Sequence, residues 1–225
     1  MKQIADGLYQ LKGFPPNMFN AYLMGDVLVD SATRFARRRI LRQLDGREVT
    51  AHALTHAHPD HQGSSDAVCA KLGLPYWVGE RDVEAAEGGG PAILRKQPGH
   101  PRNRFSARFL AGPGRQVDRV LREGDELAAG FEVIETPGHS LGHLSFWRES
   151  DRALILGDVL FGMHPSTGVP GLHEPPVPFT PDPPRNRESA RRLAPLEPAL
   201  VCFGHGPPLR DARRFVDFVQ GLPAS

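Results

Sequence analysis

The stretch THAHPDHQG, residues 55–63, places three histidines and an aspartate, His56, His58, Asp60 and His61, in close succession. In extended chain, residues two apart project to the same side, so His56 and His58 can serve one metal ion together. Pro59 turns the chain, and Asp60 and His61 then face a second position a few ångströms away. A polar surface turn would also tolerate these residue types. Metal-ligand histidines, however, cluster in this way, and chance ones rarely do.

Working outward, the flanking segments alternate between strand-like and helix-like patterns. Residues 4–11 (IADGLYQL), 18–24 (MFNAYLM) and 27–30 (VLVD) are short, apolar and broken by Gly and Pro, which predicts antiparallel strands. Residues 34–44 place Phe35, Ile40, Leu41 and Leu44 largely on one side among arginines, which predicts a helix. Further strands are predicted over 49–55, 75–78, 126–136, 144–148, 152–156 and 199–203, and further helices over 65–72, 80–87, 185–196 and 211–220. Two halves, each of strands followed by helices, predict two sheets with helices outside. Segments 88–116 and 159–183 are loaded with Gly and Pro and read as loop inserts in a single domain spanning 1–225.

The chain has 225 residues, a formal net charge of +1, and 24 glycines and 22 prolines. Its length suits one domain with a full-sized core. A charge so near zero gives no whole-molecule attraction to nucleic acid or an anionic membrane. The basic residues of the first insert, Arg95, Lys96, Arg102, Arg104, Arg108 and Arg115, could draw an anionic small-molecule substrate toward the histidines, or form a solvated arm. Only Phe105 and Phe109 are interleaved with them as stacking partners, which argues against nucleic acid. The two cysteines, Cys69 and Cys202, lack CxxC spacing, so neither a disulfide framework nor a thiolate zinc finger fits. No run approaches the roughly 18 apolar residues that span a bilayer, and the N-terminus lacks a signal-peptide layout, so a cytoplasmic protein without a membrane partner is expected.

The pattern HxHxDH of His56, His58, Asp60 and His61 resembles that of the metallo-β-lactamase-fold hydrolases. The resemblance extends to TPGHSLGH at 136–143 with His139, LILGDVLFG at 154–162 with Asp158, and VCFGHGPPL at 201–209 with His205. In VLVDSA at 27–32, Asp30 resembles the structural aspartate behind the family's site. The fold implied is a four-layer αββα sandwich, an α/β architecture of two mixed β-sheets packed face to face with helices outside. The cofactors implied are two divalent metal ions, zinc first, with iron or manganese as alternatives. His56, His58 and His139 are assigned to one ion, Asp60, His61 and His205 to the other, with Asp158 bridging. Asp60 and Asp158 are the catalytic residues implied, around a metal-bridging hydroxide that attacks an ester, thioester, lactone or phosphoester. Asp60 would also orient the nucleophile or pass a proton to the leaving group.

Departures from subfamilies narrow this. Zinc β-lactamases of the best-known subclass place a cysteine where this chain has Asp158, which argues against antibiotic hydrolysis. Glyoxalase-type thioesterases usually add a C-terminal helical domain, whereas only residues 206–225 follow His205. Persulfide dioxygenases use one iron and fewer ligands; a single-iron oxidoreductase is the alternative reading, beside a metal-dependent nuclease or phosphodiesterase. Among the other histidines, His52 reads as structural, and His143 as a partner behind the ligands or, by preference, as packing at the head of strand 144–148. His100, His164 and His173 fall in the inserts, the last two being the better pocket candidates because their loop follows Asp158. Phe179, Thr180 and Asp182 resemble a loop that some relatives place near the substrate.

Overall fold

A computed structural model describes residues 1–96 and 101–224. Seven strands form one sheet in chain order: β1 (Lys2–Ala5), β2 (Leu8–Gln10), β3 (Tyr22–Met24), β4 (Val27–Val29), β5 (Ala51–Ala53), β6 (Tyr76–Gly79) and β7 (Arg119–Leu121). The first four pair antiparallel, whereas β4 to β7 run parallel. Parallel neighbours need crossovers. Helices α1 (Arg37–Leu44) and α3 (Ser65–Leu72) supply two of them, the second preceded by the short α2 (Pro59–Gln62).

The second sheet contains β8 (Glu132–Glu135), β9 (Leu144–Arg148), β10 (Ala153–Gly157) and β13 (Leu200–Phe203), in the order β13-β10-β9-β8. Only the β10–β13 pair is parallel. Helices α6 (Pro183–Leu193) and α7 (Ala212–Gln220) flank this sheet. Each starts at an aspartate that accepts a backbone N–H of the first turn, Asp182 from Arg185 and Asp211 from Arg214. Asp182 is thus a helix cap.

The central strands are apolar along their length because both of their faces are covered. In β4, Val27 and Val29 pack between the two sheets, while Leu28 faces the helices with Ile40, Leu44 and Val68. In β10, Ile155 meets Phe131 and Phe146 between the sheets, while Leu154 and Leu156 face Leu193 and Phe215. This period-two division of side chains produces three core layers, and the architecture is the expected αββα sandwich.

Both Gly- and Pro-rich segments differ from expectation. Through 88–96 the chain continues α4 (Val83–Lys96), kinked at Gly89 (φ 59°, ψ −149°), and α5 (Pro101–Phe109) follows. Pro101 opens α5, where a missing N–H costs nothing, so a residue counted as a loop former starts a helix. Within 159–183 lie the hairpin strands β11 (Phe161–Met163) and β12 (Pro170–His173) and a helical turn at Val177–Phe179. No helix among the described residues is long and apolar enough to cross a membrane.

His52 in β5 is the core histidine expected. Its Nδ1 donates to the Leu28 carbonyl at 3.0 Å, and its Nε2 accepts from Ser65 Oγ at 2.7 Å. Burial pushes its pKa down to about 4. Between that value and the ordinary 6.5, the unfolded chain binds a proton that the folded one refuses. The stabilisation is therefore complete above the upper value and declines as pH falls, by about 1.4 kcal/mol per unit. Urea titrations at pH 6.5 and at about pH 5 should show wild type losing about 2 kcal/mol more than His52→Gln over that interval; equal losses would contradict this account.

Candidate metal centre

Five segments deliver the predicted residues to one edge of the sandwich. His56 and His58 follow β5, and Pro59 starts α2, whose first turns carry Asp60 and His61. His139 follows β8, Asp158 follows β10, and His205 follows β13. The structure brings all seven together. Asp158 Oδ2 lies 3.8 Å from His56 Nε2, 3.3 Å from His61 Nε2, 3.3 Å from His139 Nε2 and 3.2 Å from His205 Nε2. His56 Nε2 and His58 Nδ1 are 3.0 Å apart, and Asp60 Oδ2 is 3.5 Å from His205 Nε2. Three sets have ligand atoms mutually within 4.8 Å: His56, His58 and His139; His56, His61 and Asp158; and Asp60, His61 and His205.

Partners behind the rings set their tautomers. Asp30 accepts Thr55 N–H on Oδ1 at 2.8 Å, and Thr55 Oγ1 and His61 Nδ1 on Oδ2 at 2.8 and 2.9 Å. Thr55 Oγ1, its proton committed to Asp30, accepts from His56 Nδ1 at 3.0 Å. Thr180 Oγ1 donates to the Pro176 carbonyl and accepts from His139 Nδ1 at 3.1 Å. His205 Nδ1 donates to the Met18 carbonyl. Each of these four rings is held at Nδ1 by a partner outside the cluster and turns its Nε2 toward Asp158, an arrangement that orients metal ligands.

Burial holds His56 and His58 well below the usual histidine value, in the neutral form that ligates. For His61 and His205, burial works in the same direction, but the Asp158 carboxylate outweighs it and raises both. Burial would raise Asp158, yet His205 and His61 hold it well below the carboxylate range. His139 Nε2 and Asp158 Oδ1 are buried without a hydrogen-bond partner. Imidazole nitrogens converging on a carboxylate, with buried polar atoms left without partners, form a donor set suited to divalent cations. A cation there would displace protons from His61 and His205, so its affinity would rise with pH.

Two supports escaped the sequence reading. Asp82, 4% exposed, accepts from Ala57 N at 2.9 Å and Ser140 Oγ at 2.7 Å on Oδ2, and from Gly142 N at 2.9 Å on Oδ1. It ties the His56–His61 segment to the turn that carries His139. In ERDVEAAE it is one of several acids at a helix start, and no local pattern singles it out. Asp82→Ala strands three buried donors and should cost about 3 kcal/mol in urea unfolding; a loss within experimental error would refute the tie. His143, which the sequence offers as a partner behind the ligands or, by preference, as strand packing, has a definite task. Its Nδ1 donates to Thr136 Oγ1 at 2.8 Å, and its Nε2 accepts the backbone N–H of Asp158 at 3.0 Å. Burial pushes its pKa down to about 3, which keeps that acceptor available.

A cavity of ≈500 Å³ opens onto the cluster. His58, Asp60, His139, Asp158 and His205 form its polar end, and Met18, Phe19, Phe105, Leu110, Phe161 and Phe179 contribute apolar wall. Phe161 lies against the His205 ring, with centroids 4.4 Å apart. Phe179 and Thr180 therefore do sit at the site. Of the two readings of the basic insert, its described side chains fit the solvated one: Arg104 and Arg108 are exposed and off the cavity wall, and Arg115 pairs with Asp66 at 3.4 Å. His100 and the side chains of Arg95, Lys96 and Arg102 lie outside the described residues. His164 and His173 do not line the cavity but face one another, their ring centroids 5.1 Å apart.

The model of the metallo-beta-lactamase superfamily matches residues 16–205, a span that holds all seven clustered residues. The chain belongs to the metallo-beta-lactamase superfamily. Among its curated relatives, the probable metallo-hydrolase YflN of Bacillus subtilis (strain 168) is 29% identical over 73% of this chain and 67% of its own length. Among solved structures of this superfamily fold, the BLEG-1 B3 metallo-beta-lactamase superposes with a TM-score of 0.70 at 27% identity, covering 95% of this chain and 100% of that one. TTHA1623, solved in a di-iron-bound form, gives a TM-score of 0.64 at 29% identity and covers 92% of each chain.

Proposed function

We propose that this superfamily member is a hydrolase with a dinuclear metal centre. His56, His58 and His139 would hold one divalent ion, and Asp60, His61 and His205 the other, with the Asp158 carboxylate shared between them. The observation that carries this reading is the convergence of four imidazole Nε2 atoms on one buried carboxylate oxygen. Zinc is the first candidate, and the di-iron form of TTHA1623 supports keeping iron beside it; manganese suits the same ligands. Bound there, the metals supply Lewis acidity and lower the pKa of a coordinated water toward neutrality.

The chain's own groups do the rest. Asp30, Thr55, Thr180 and the Met18 carbonyl hold the rings in place. Asp60, whose side chain is 21% exposed at the cavity floor, can orient a water and hand a proton from its carboxyl to the leaving group. The apolar walls exclude bulk water from the reacting centre. The reaction class supported is hydrolysis of an ester, thioester, lactone or phosphoester. The likeness to BLEG-1 keeps a β-lactam in the test panel, since the cysteine argument bears on one subclass only.

Elemental analysis of protein purified without chelator should find two ions per chain. Activity against esters, thioesters, lactones, phosphodiesters and a β-lactam should be lost on chelation and regained with zinc, iron or manganese. One iron per chain with oxygen uptake would overturn the proposal in favour of an oxidoreductase.

A further inference from the structure

The cavity's chemistry selects among those substrates, a conclusion that rests on the hydrolytic reading above. Its polar groups are gathered at one end. Apart from the five clustered residues, only Asn103 and Ser106 among the described lining residues carry polar side chains, and both are neutral. Asn103 is engaged with the fold, its Nδ2 donating to the Pro178 carbonyl at 2.8 Å. No lysine or arginine whose side chain is described reaches the wall.

The apolar wall is assembled from four separate places, one of them the Val177–Phe179 turn with Phe179. Met18 and Phe19 come from the loop before β3, Phe105 and Leu110 from α5 and its end, and Phe161 from β11. Met163 and Pro165 extend the β11 contribution. Phe161 and Met163 are 6% and 5% exposed and rigidly placed, whereas Phe105 is 60% exposed and stands at the rim. An anionic group lodged along this wall would lose its hydration with no described cation to pair with. A carboxylic carbonyl directed at the His/Asp end would instead leave an apolar substituent along the wall. Volumes of a few hundred cubic ångströms are those of small-molecule pockets.

We infer that the site takes neutral carboxylic esters or lactones bearing an unbranched apolar chain, with the chain seated between α5 and the β11–β12 hairpin. Acyl groups that carry a carboxylate along the chain are disfavoured, since the wall offers that charge no described cation. Phe105 is the rim residue that measures chain length.

Two measurements on metal-loaded protein test this. In calorimetry with uncleavable N-alkyl acetamides, affinity should tighten by about fourfold per added methylene until the cavity is filled. An equally long chain ending in a carboxylate should bind at least about tenfold more weakly. In turnover, kcat/KM for p-nitrophenyl esters should climb from acetyl toward octanoyl. Phe105→Ala should reduce the octanoyl-to-acetyl ratio about tenfold. A flat amide series, or equal binding of the carboxylate-ended chain, would overturn the assignment. So would an unaltered ratio in both Phe105→Ala and Phe161→Leu. If the amides bind with the expected profile but no ester or lactone is cleaved, the cavity assignment stands and the hydrolytic reading fails.

Discussion

Asp158→Ala should purify folded, with at most one metal ion per chain, and with kcat/KM reduced by well over the roughly 10- to 100-fold typical of losing an outer partner of a metal ligand. This carboxylate is the common neighbour of the cluster, its Oδ2 lying 3.2 to 3.8 Å from the Nε2 atoms of four histidines. Removing it takes away the negative charge that keeps His61 and His205 raised, and with it the oxygens that could be shared between two ions. His56, His58 and His139 keep their mutual geometry, so one ion can still bind. Asp158→Asn preserves the shape and removes the charge, and should fall with the alanine variant. Elemental analysis with circular dichroism as a folding control decides the matter; two retained ions and full activity would refute the scheme.

Gly204→Ala should be nearly as damaging, although it adds a single methyl group to a residue with no chemistry of its own. A Cβ built there would lie 2.0 Å from Asp158 Oδ1 and 2.6 Å from His61 Cε1, far inside contact distance. The backbone has little freedom to retreat: Gly204 N–H donates to the Gly157 carbonyl at 3.0 Å, and its own carbonyl accepts from Asn20 N at 2.9 Å. Nor can Asp158 move readily, because His143 holds its N–H and Gly157 before it sits at φ +62° with His143 Nε2 packed where a side chain would go. The methyl must therefore displace the shared carboxylate. Metal affinity should fall at least about tenfold, with about 1–3 kcal/mol lost in stability from overpacking. Gly221→Ala, whose Cβ meets nothing closer than 3.5 Å, is the control and should leave metal content unchanged. Wild-type metal content in Gly204→Ala would show that the backbone can give after all.

Much of the site was legible because its signals are local. His56, His58, Asp60 and His61 sit within one turn of chain, and His139, Asp158 and His205 each follow a short apolar strand. Strand patterns in β4 and β10 were readable for the same reason, as were the apolar faces of α1 and α7. The four-residue α2 was not, being too short for any periodicity, and neither was β7, whose Arg119 and Val120 leave it half wet. The inserts were misread because Gly and Pro were counted without their positions: Pro101 opens a helix, and Gly89 kinks one.

The sequence by itself carried the His56–His61 cluster and the layered fold, because ligand spacing and side-chain alternation are properties of neighbouring residues, while His139, Asp158 and His205 came through the resemblance to the superfamily. Only the tertiary structure decided how those donors are held and what they face. Thr180 reaches His139 across 41 positions, and the Met18 carbonyl reaches His205 across 187. Asp82 joins two loops that are remote in the chain. The tertiary structure also chose between the two readings of the basic insert for its described side chains, placing the Phe105 ring at the cavity and leaving Arg104 and Arg108 off it. Charge can be counted along a chain, but the direction in which a helix presents it depends on what the helix packs against.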